Sequence, residues 1–160
     1  TGFSGSGKTR LSKKILSQIR KEYGPTVLFS GDDIRRIFKL RGYTNKDRFE
    51  IVMKYCKLAK FITGQNVNVI FAVIGMMDEI RKWNRKNITN YVEIYIKSDL
   101  KMIIAKKQKN IYHNNKKNIV GLDIKPDFPK NPDIILVNDF KKNIKTYSEE
   151  LVLKIKKHLN

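Results

Sequence analysis

The chain is predicted to be an α/β protein, a three-layer sandwich with a central parallel sheet, helices on both faces and a lid. Three observations predict it. Apolar runs of strand length alternate with stretches of helical periodicity along the whole chain. A glycine-rich loop opens the first helix. A polar, lysine- and asparagine-rich segment from about 107 to 131 interrupts the alternation late in the chain.

The elements follow in order. Leu11, Ile15 and Ile19 give residues 8–21 a helical apolar face, and Gly24-Pro25 ends it. Thr26-Val27-Leu28-Phe29 reads as a buried strand. A short helix follows Asp33, for which Asp33 is the expected cap. Thr44-Asn45-Lys46-Asp47 has the form of a capping box and starts a helix reaching about Thr63. Val67 to Val73, apolar apart from Asn68, is suited to a central parallel strand. Residues 78–87 read as helix, 91–96 as strand, 100–106 as helix, 133–137 as the last strand and 140–158 as a terminal helix. At 160 residues this is one domain, and the opening directly on a loop predicts a strand before Thr1.

Composition narrows the function. No stretch approaches the roughly 20 apolar residues of a membrane helix, and no signal-peptide pattern is present, which predicts a cytoplasmic protein. The single cysteine, Cys56, has no neighbouring Cys and His with zinc-ligand spacing. The formal net charge of +19 comes mostly from lysine, 26 against 8 arginines. It fits a polyanionic partner, and it fits equally the lysine, isoleucine and asparagine bias of an AT-rich genome.

Gly2-Phe3-Ser4-Gly5-Ser6-Gly7-Lys8-Thr9 satisfies G-x-x-x-x-G-K-S/T in full. Gly2, Gly5 and Gly7 let the backbone curl, and Ser4 and Ser6 complete a loop whose N–H groups point at phosphate oxygens. The following helix directs its positive end to the same place. Lys8 reaches the β- and γ-phosphates and Thr9 holds Mg²⁺, so ATP with Mg²⁺ is the expected donor. No N-K-x-D motif for reading guanine appears, and the small size with a late polar loop favours a P-loop kinase of a nucleotide or metabolite. Asp32, at the carboxyl end of the second strand, sits where such sheets bind ligands and is placed to deprotonate an attacking hydroxyl. Asp32 or Asp33 is the candidate to reach the metal through water.

On these residues the chain resembles the adenylylsulfate kinase family. Ser30-Gly31-Asp32-Asp33-Ile34-Arg35 resembles its D-G-D-N-I/V-R block, and Gly42-Tyr43-Thr44 with Asp47-Arg48-Phe49-Glu50 resembles G-F-S with D-R-x-E. Leu58-Ala59-Lys60, Gly121-Leu122-Asp123 and Pro129-Lys130-Asn131-Pro132-Asp133 match further blocks in order. The resemblance implies a P-loop kinase fold, Mg²⁺ dependence, a mobile lid, a homodimer, and transfer of a phosphoryl group to the ribose 3′-hydroxyl of adenylylsulfate. It makes Asp32 the catalytic aspartate, with Lys8 on the transferred group. It makes Arg35 and Arg48 ligands of the acceptor's acidic end and Tyr43 the ring that stacks on its base. Lys109 and Tyr112 fall in the lid motif R-D-x-K-G-L-Y, and Ile119 falls at a lid position that contacts the acceptor.

Departures from the family lie on the acceptor side. Ser30 replaces the first aspartate of D-G-D, and Ile51 replaces an asparagine that touches the acceptor. Ile74-Gly75-Met76-Met77-Asp78 stands for I-S-P-Y-R, Lys107 stands for an aspartate, and Ile119-Val120 stands for Phe-Thr. The expected acceptor is therefore a different anionic nucleotide. The capsule-pathway variant acting on cytidine diphosphoramidate fits, since a pyrimidine tolerates the loss of one stacking ring. The alternatives are sulfate activation itself, a non-enzymatic nucleic-acid-binding protein, for which no RNA-binding motif is present, and an ATP-binding switch.

Overall fold

The computed structural model describes residues 1–106, 112 and 117–159. In chain order the elements are α1 (Lys8–Tyr23), β1 (Thr26–Ser30), α2 (Gly31–Ile37), α3 (Asn45–Thr63), β2 (Asn68–Ala72), α4 (Asp78–Asn87), β3 (Ile94–Lys97), α5 (Leu100–Ala105), β4 (Ile134–Val137) and α6 (Ile144–Leu159). The expected alternation is present, each strand within a few residues of its predicted bounds.

Among the described residues all strand pairing is parallel. β1 pairs with β2 in the register Thr26 to Asn68, and β3 pairs with β4 in the register Ile94 to Ile134. The two pairs meet at the first two residues of the chain. Thr1 donates from its nitrogen to the Ile94 carbonyl (2.6 Å) and accepts from the Ile96 N–H (2.9 Å). On the other side, Gly2 N–H donates to the Ile74 carbonyl at 3.1 Å. The approach is so close that a Cβ on Gly2, at φ +146°, would stand 2.6 Å from the Ile96 carbonyl oxygen, so only glycine fits.

Both faces are covered. Leu11, Ile15 and Ile19 of α1 and Tyr147, Leu151, Val152 and Ile155 of α6 pack on Ile96, Ile134 and Leu136. On the other face Ile34 of α2 and Ile51 and Tyr55 of α3 pack with Phe29, Phe71 and Val73. A third cluster joins Phe3, Met76, Tyr95, Ile103 and Val120 and seats the phosphate loop against α5 and the lid segment. Burial of this kind contributes on the order of 1.5–3 kcal/mol per large apolar side chain.

The helix starts explain the local geometry. α3 has the full predicted box: Thr44 Oγ1 accepts from Asp47 N–H and the Asp47 carboxylate accepts from Thr44 N–H. Gly42, just before it, has φ +96°, and a Cβ there would fall 2.5 Å from Asp47 Cγ. The cap of α2 is a correction. Ser30, not Asp33, is the N-cap: its hydroxyl accepts from Asp33 N–H at 3.1 Å and donates to Asp33 Oδ2 at 2.6 Å. A serine at the end of β1 has the extended backbone a cap requires, so the helix begins at Gly31 and leaves Asp33 inside its first turn. Among the described residues no helix is long and apolar enough to cross a membrane.

Candidate active site

The phosphate loop leaves β-sheet hydrogen bonding at Gly2 and enters α1 at Lys8. Gly7 holds φ +94° as the residue before the helix, and no side chain caps α1. The first-turn amides of α1 are therefore open toward the loop, the arrangement that receives a phosphate. Lys8 Nζ donates to the Gly2 carbonyl (2.9 Å) and the Phe3 carbonyl (2.6 Å), which holds the ammonium over the loop. Ser6 is fully buried, and Asn138 Nδ2 donates to its carbonyl at 2.9 Å.

A cavity of about 1120 Å³ opens above this loop, large enough for two nucleotide-sized molecules. Ser4, Gly5, Gly7, Lys8 and Thr9 line it. Asp32 and Asp33, from the first turn of α2, line it as well. Asp33 is engaged: its carboxylate takes the Ser30 hydroxyl and pairs with Arg36 at 2.9 Å. The Ser30 hydrogen bond, then the Arg36 charge, hold its carboxyl below the usual carboxylate range.

The α2–α3 region supplies the second lining group, with Arg35, Tyr43 and Arg48 as a cluster. The Arg35 guanidinium lies 4.6 Å from the Tyr43 ring centroid and that of Arg48 lies 5.5 Å from it. Arg35 also donates to the Gly42 carbonyl (3.0 Å), so it shapes the turn that carries Tyr43. Arg48 donates to the Tyr43 carbonyl (2.9 Å) and across to the Asn118 carbonyl of the lid segment (2.8 Å). Burial, then the neighbouring Arg35 charge, lower the Arg48 pKa. Two guanidinium groups beside one half-exposed ring bring positive charge and a flat face together in the lining.

Several expected positions fall elsewhere. Gly2 and Ser6 are buried supports of the loop and do not line the cavity. Ile119 is buried, its N–H bonded to Asp123, and is not part of the lining, which Val120 and Ile124 supply instead. The reason is the Ile119–Ile124 turn, which puts the following residue, Val120, toward Phe3 and Met76. Ile51 is buried with Ile34 and Tyr55 and is likewise outside the lining, whereas Met76 and Met77 belong to it. Lys109 and Lys107 lie outside the described residues.

The cavity also has walls that sequence reasoning missed. Asn138, Phe140, Lys142, Asn143 and Tyr147 line it from the segment after β4. The strand order puts this segment and the α2–α3 region at opposite edges of the sheet, with the phosphate loop between them. The available signal was Asn138 itself, a polar residue at the carboxyl end of the last strand. Tyr112 is not in the lining and ties the lid segment to the phosphate loop, its hydroxyl donating to the Ser4 carbonyl at 2.9 Å.

Comparison with known proteins shows the family and the fold. A family model described as adenylylsulphate kinase matches residues 1–137. A cytidine diphosphoramidate kinase of Campylobacter jejuni is 34% identical over 97% of this chain and 93% of its own length. An adenylyl-sulfate kinase of Gloeothece citriformis is 26% identical over 84% of this chain and 79% of its own. Among solved structures, the APS kinase CysC of Mycobacterium tuberculosis, in complex with AMPPNP and APS, superposes with a TM-score of 0.84 at 22% identity. The match covers 98% of this chain and 94% of that one, and it shows the shared fold.

Proposed function

The chain belongs to the adenylylsulphate kinase family and is an ATP-dependent phosphotransferase, and on that premise we propose that its acceptor is a cytidine diphosphate derivative carrying a small acidic group, cytidine diphosphoramidate. The product would be its ribose 3′-phosphate, in capsular polysaccharide modification. One observation carries the reading: the Arg35, Tyr43 and Arg48 cluster lines a cavity to which the loop after β2 and the lid segment contribute the apolar side chains of Met76, Met77, Val120 and Ile124. These four side chains offer adenine no second stacking ring, and a smaller pyrimidine loses less by that. The Campylobacter jejuni relative, named for this acceptor, supports it.

In this reading the loop amides and Lys8 hold the β- and γ-phosphates of ATP, and Lys8 offsets the charge that develops as the γ-phosphoryl transfers. The acceptor hydroxyl oxygen forms a bond to the γ-phosphorus, the bridging oxygen–phosphorus bond breaks, and ADP leaves. Asp32 takes the hydroxyl proton. Arg35 and Arg48 bind the acidic end of the acceptor and Tyr43 stacks on its base, which requires Arg35 to swing off the ring it now covers. Asn138, Phe140 and Tyr147 form the ATP base side by elimination, being the lining farthest along the strand order from Tyr43.

The residues suit Mg²⁺. Among the described residues no cluster of three or more His, Cys, Asp or Glu side chains forms a metal cage. Mg²⁺ does not need one, because it is held by one or two side chains together with phosphates and its own waters. Thr9 would hold it directly, with Asp32 or Asp33 acting through water, and the ion would supply charge neutralisation on the phosphate oxygens. A homodimer and a cytoplasmic location complete the proposal.

An acceptor screen tests it. Purified protein with Mg²⁺ and γ-labelled ATP should label cytidine diphosphoramidate. Label on none of the cytidine or uridine diphosphate derivatives, with label on adenylylsulfate, would return the chain to sulfate activation.

A further inference from the structure

Arg81 is a charged residue that does not line the cavity and that the reaction does not touch, yet it is 4% exposed. Its guanidinium donates to the Gly75 carbonyl (3.1 Å), the Asp127 carbonyl (2.8 Å) and the Phe128 carbonyl (3.3 Å). It lies within ion-pair distance of Glu93 (3.3 Å), Asp78 (3.4 Å) and Asp127 (3.5 Å). One planar fork thus joins three separate segments: the loop after β2, the end of the lid segment, and the residue before β3.

The same junction closes an open helix end. Met77 precedes α4 and offers no side-chain cap. The Asp127 carboxylate does so from 49 residues away, accepting from Asp78 N–H at 2.6 Å, while Asp127 N–H donates to the Met76 carbonyl at 3.3 Å. Phe128, whose carbonyl Arg81 holds, packs edge to face on Phe3 of the phosphate loop with centroids 5.7 Å apart. Gly75, Met76, Met77 and Asp127 all line the cavity, so the fork fixes the wall without belonging to it.

We infer that Arg81 is a positioning residue for the acceptor: it locks the lid segment's far end to the loop after β2 and so sets a wall of the cavity that Tyr43 also lines. This rests on the acceptor pocket proposed above. A buried guanidinium with this many partners is costly unless its donors are used, and a lysine ammonium, whose three donors sit on one nitrogen, cannot span partners spread around the planar fork.

The test is Arg81→Lys in the full chain, with cytidine diphosphoramidate as acceptor. The KM for acceptor should rise about tenfold or more, while kcat and the KM for ATP stay within about twofold. Hydrogen exchange at the Asp78 and Asp127 amides should speed by about tenfold, with amides of α1 and α6 unchanged. Asp127→Asn, at a side chain 44% exposed, should reproduce the KM shift. A uniform loss of protection with kcat and both KM values changing together would reduce Arg81 to a structural residue and overturn the inference. So would wild-type acceptor KM and wild-type exchange in both variants. Should the wild-type protein fail to phosphorylate cytidine diphosphoramidate, the acceptor reading falls, and exchange at Asp78 and Asp127 still decides whether Arg81 locks the wall.

Discussion

The Tyr112 hydroxyl donates to the Ser4 carbonyl at 2.9 Å, a hydrogen bond across 108 positions that ties the lid segment to the phosphate loop. Burial pushes the Tyr112 pKa up to about 12, so the hydroxyl stays a donor throughout the working range. Tyr112→Phe removes the donor and leaves the ring in place. A neutral hydrogen bond is worth about 0.5–1.5 kcal/mol, so affinity for a non-hydrolysable ATP analogue should fall roughly two- to tenfold by calorimetry, equally at pH 7 and pH 9. Unchanged affinity would show that the loop keeps its shape without the lid.

Lys8 is held over the loop by the Gly2 and Phe3 carbonyls. Lys8→Ala should lower transfer by roughly 10²-fold or more, because a fixed charge at the transferring group is a large part of catalysis. Wild-type turnover in that variant would remove the phosphate loop from the mechanism.

Asp32 lines the cavity beside the loop on a short helix capped by Ser30. Asp32→Asn preserves shape and removes the proton acceptor. Transfer should be abolished while ATP affinity, measured separately by calorimetry, stays close to wild type. Parallel loss of binding and turnover would assign Asp32 to ATP rather than to the acceptor hydroxyl.

The capping box of α3 carries a pH dependence. Hydrogen bonds from the Thr44 side chain and then its backbone lower the Asp47 pKa from its ordinary 3.8. A depressed carboxyl adds stability that is present above pH 3.8 and is lost as pH falls through the lower folded value. Thr44→Ala should cost about 0.5–2 kcal/mol at pH 7, as cap losses do. The gap between wild type and variant in chemical denaturation should narrow below pH 3.8. A gap constant down to pH 2.5 would contradict the link.

The elements were legible in the sequence because their signals are local. Leu11, Ile15 and Ile19 mark a helix face, and Thr44 with Asp47 marks a helix start, within a few residues of each other. The phosphate loop was legible for the same reason. The cap of α2 was misjudged because Ser30 and Asp33 are both good capping residues three apart, and only the extended backbone at the end of β1 decides between them. Ile119 was misplaced because one residue of register in a turn exchanges it with Val120 at the cavity wall. Asn138 on Ser6 and Arg81 on Asp127 were invisible for another reason. They join residues 132 and 46 positions apart, and neither partner's local pattern names the other.

The acceptor decides the account. Arg35, Tyr43 and Arg48 share the cavity lining with Met76, Met77 and Val120, and on the proposed reading these three stand where a second stacking ring would be needed for adenine. Loss of a stacking face costs a base about 1–3 kcal/mol, or roughly tenfold to a hundredfold in binding. The direct measurement is competition, with cytidine diphosphoramidate and adenylylsulfate offered together to purified enzyme with ATP and Mg²⁺. The account predicts a higher kcat/KM for cytidine diphosphoramidate. A preference for adenylylsulfate would contradict it.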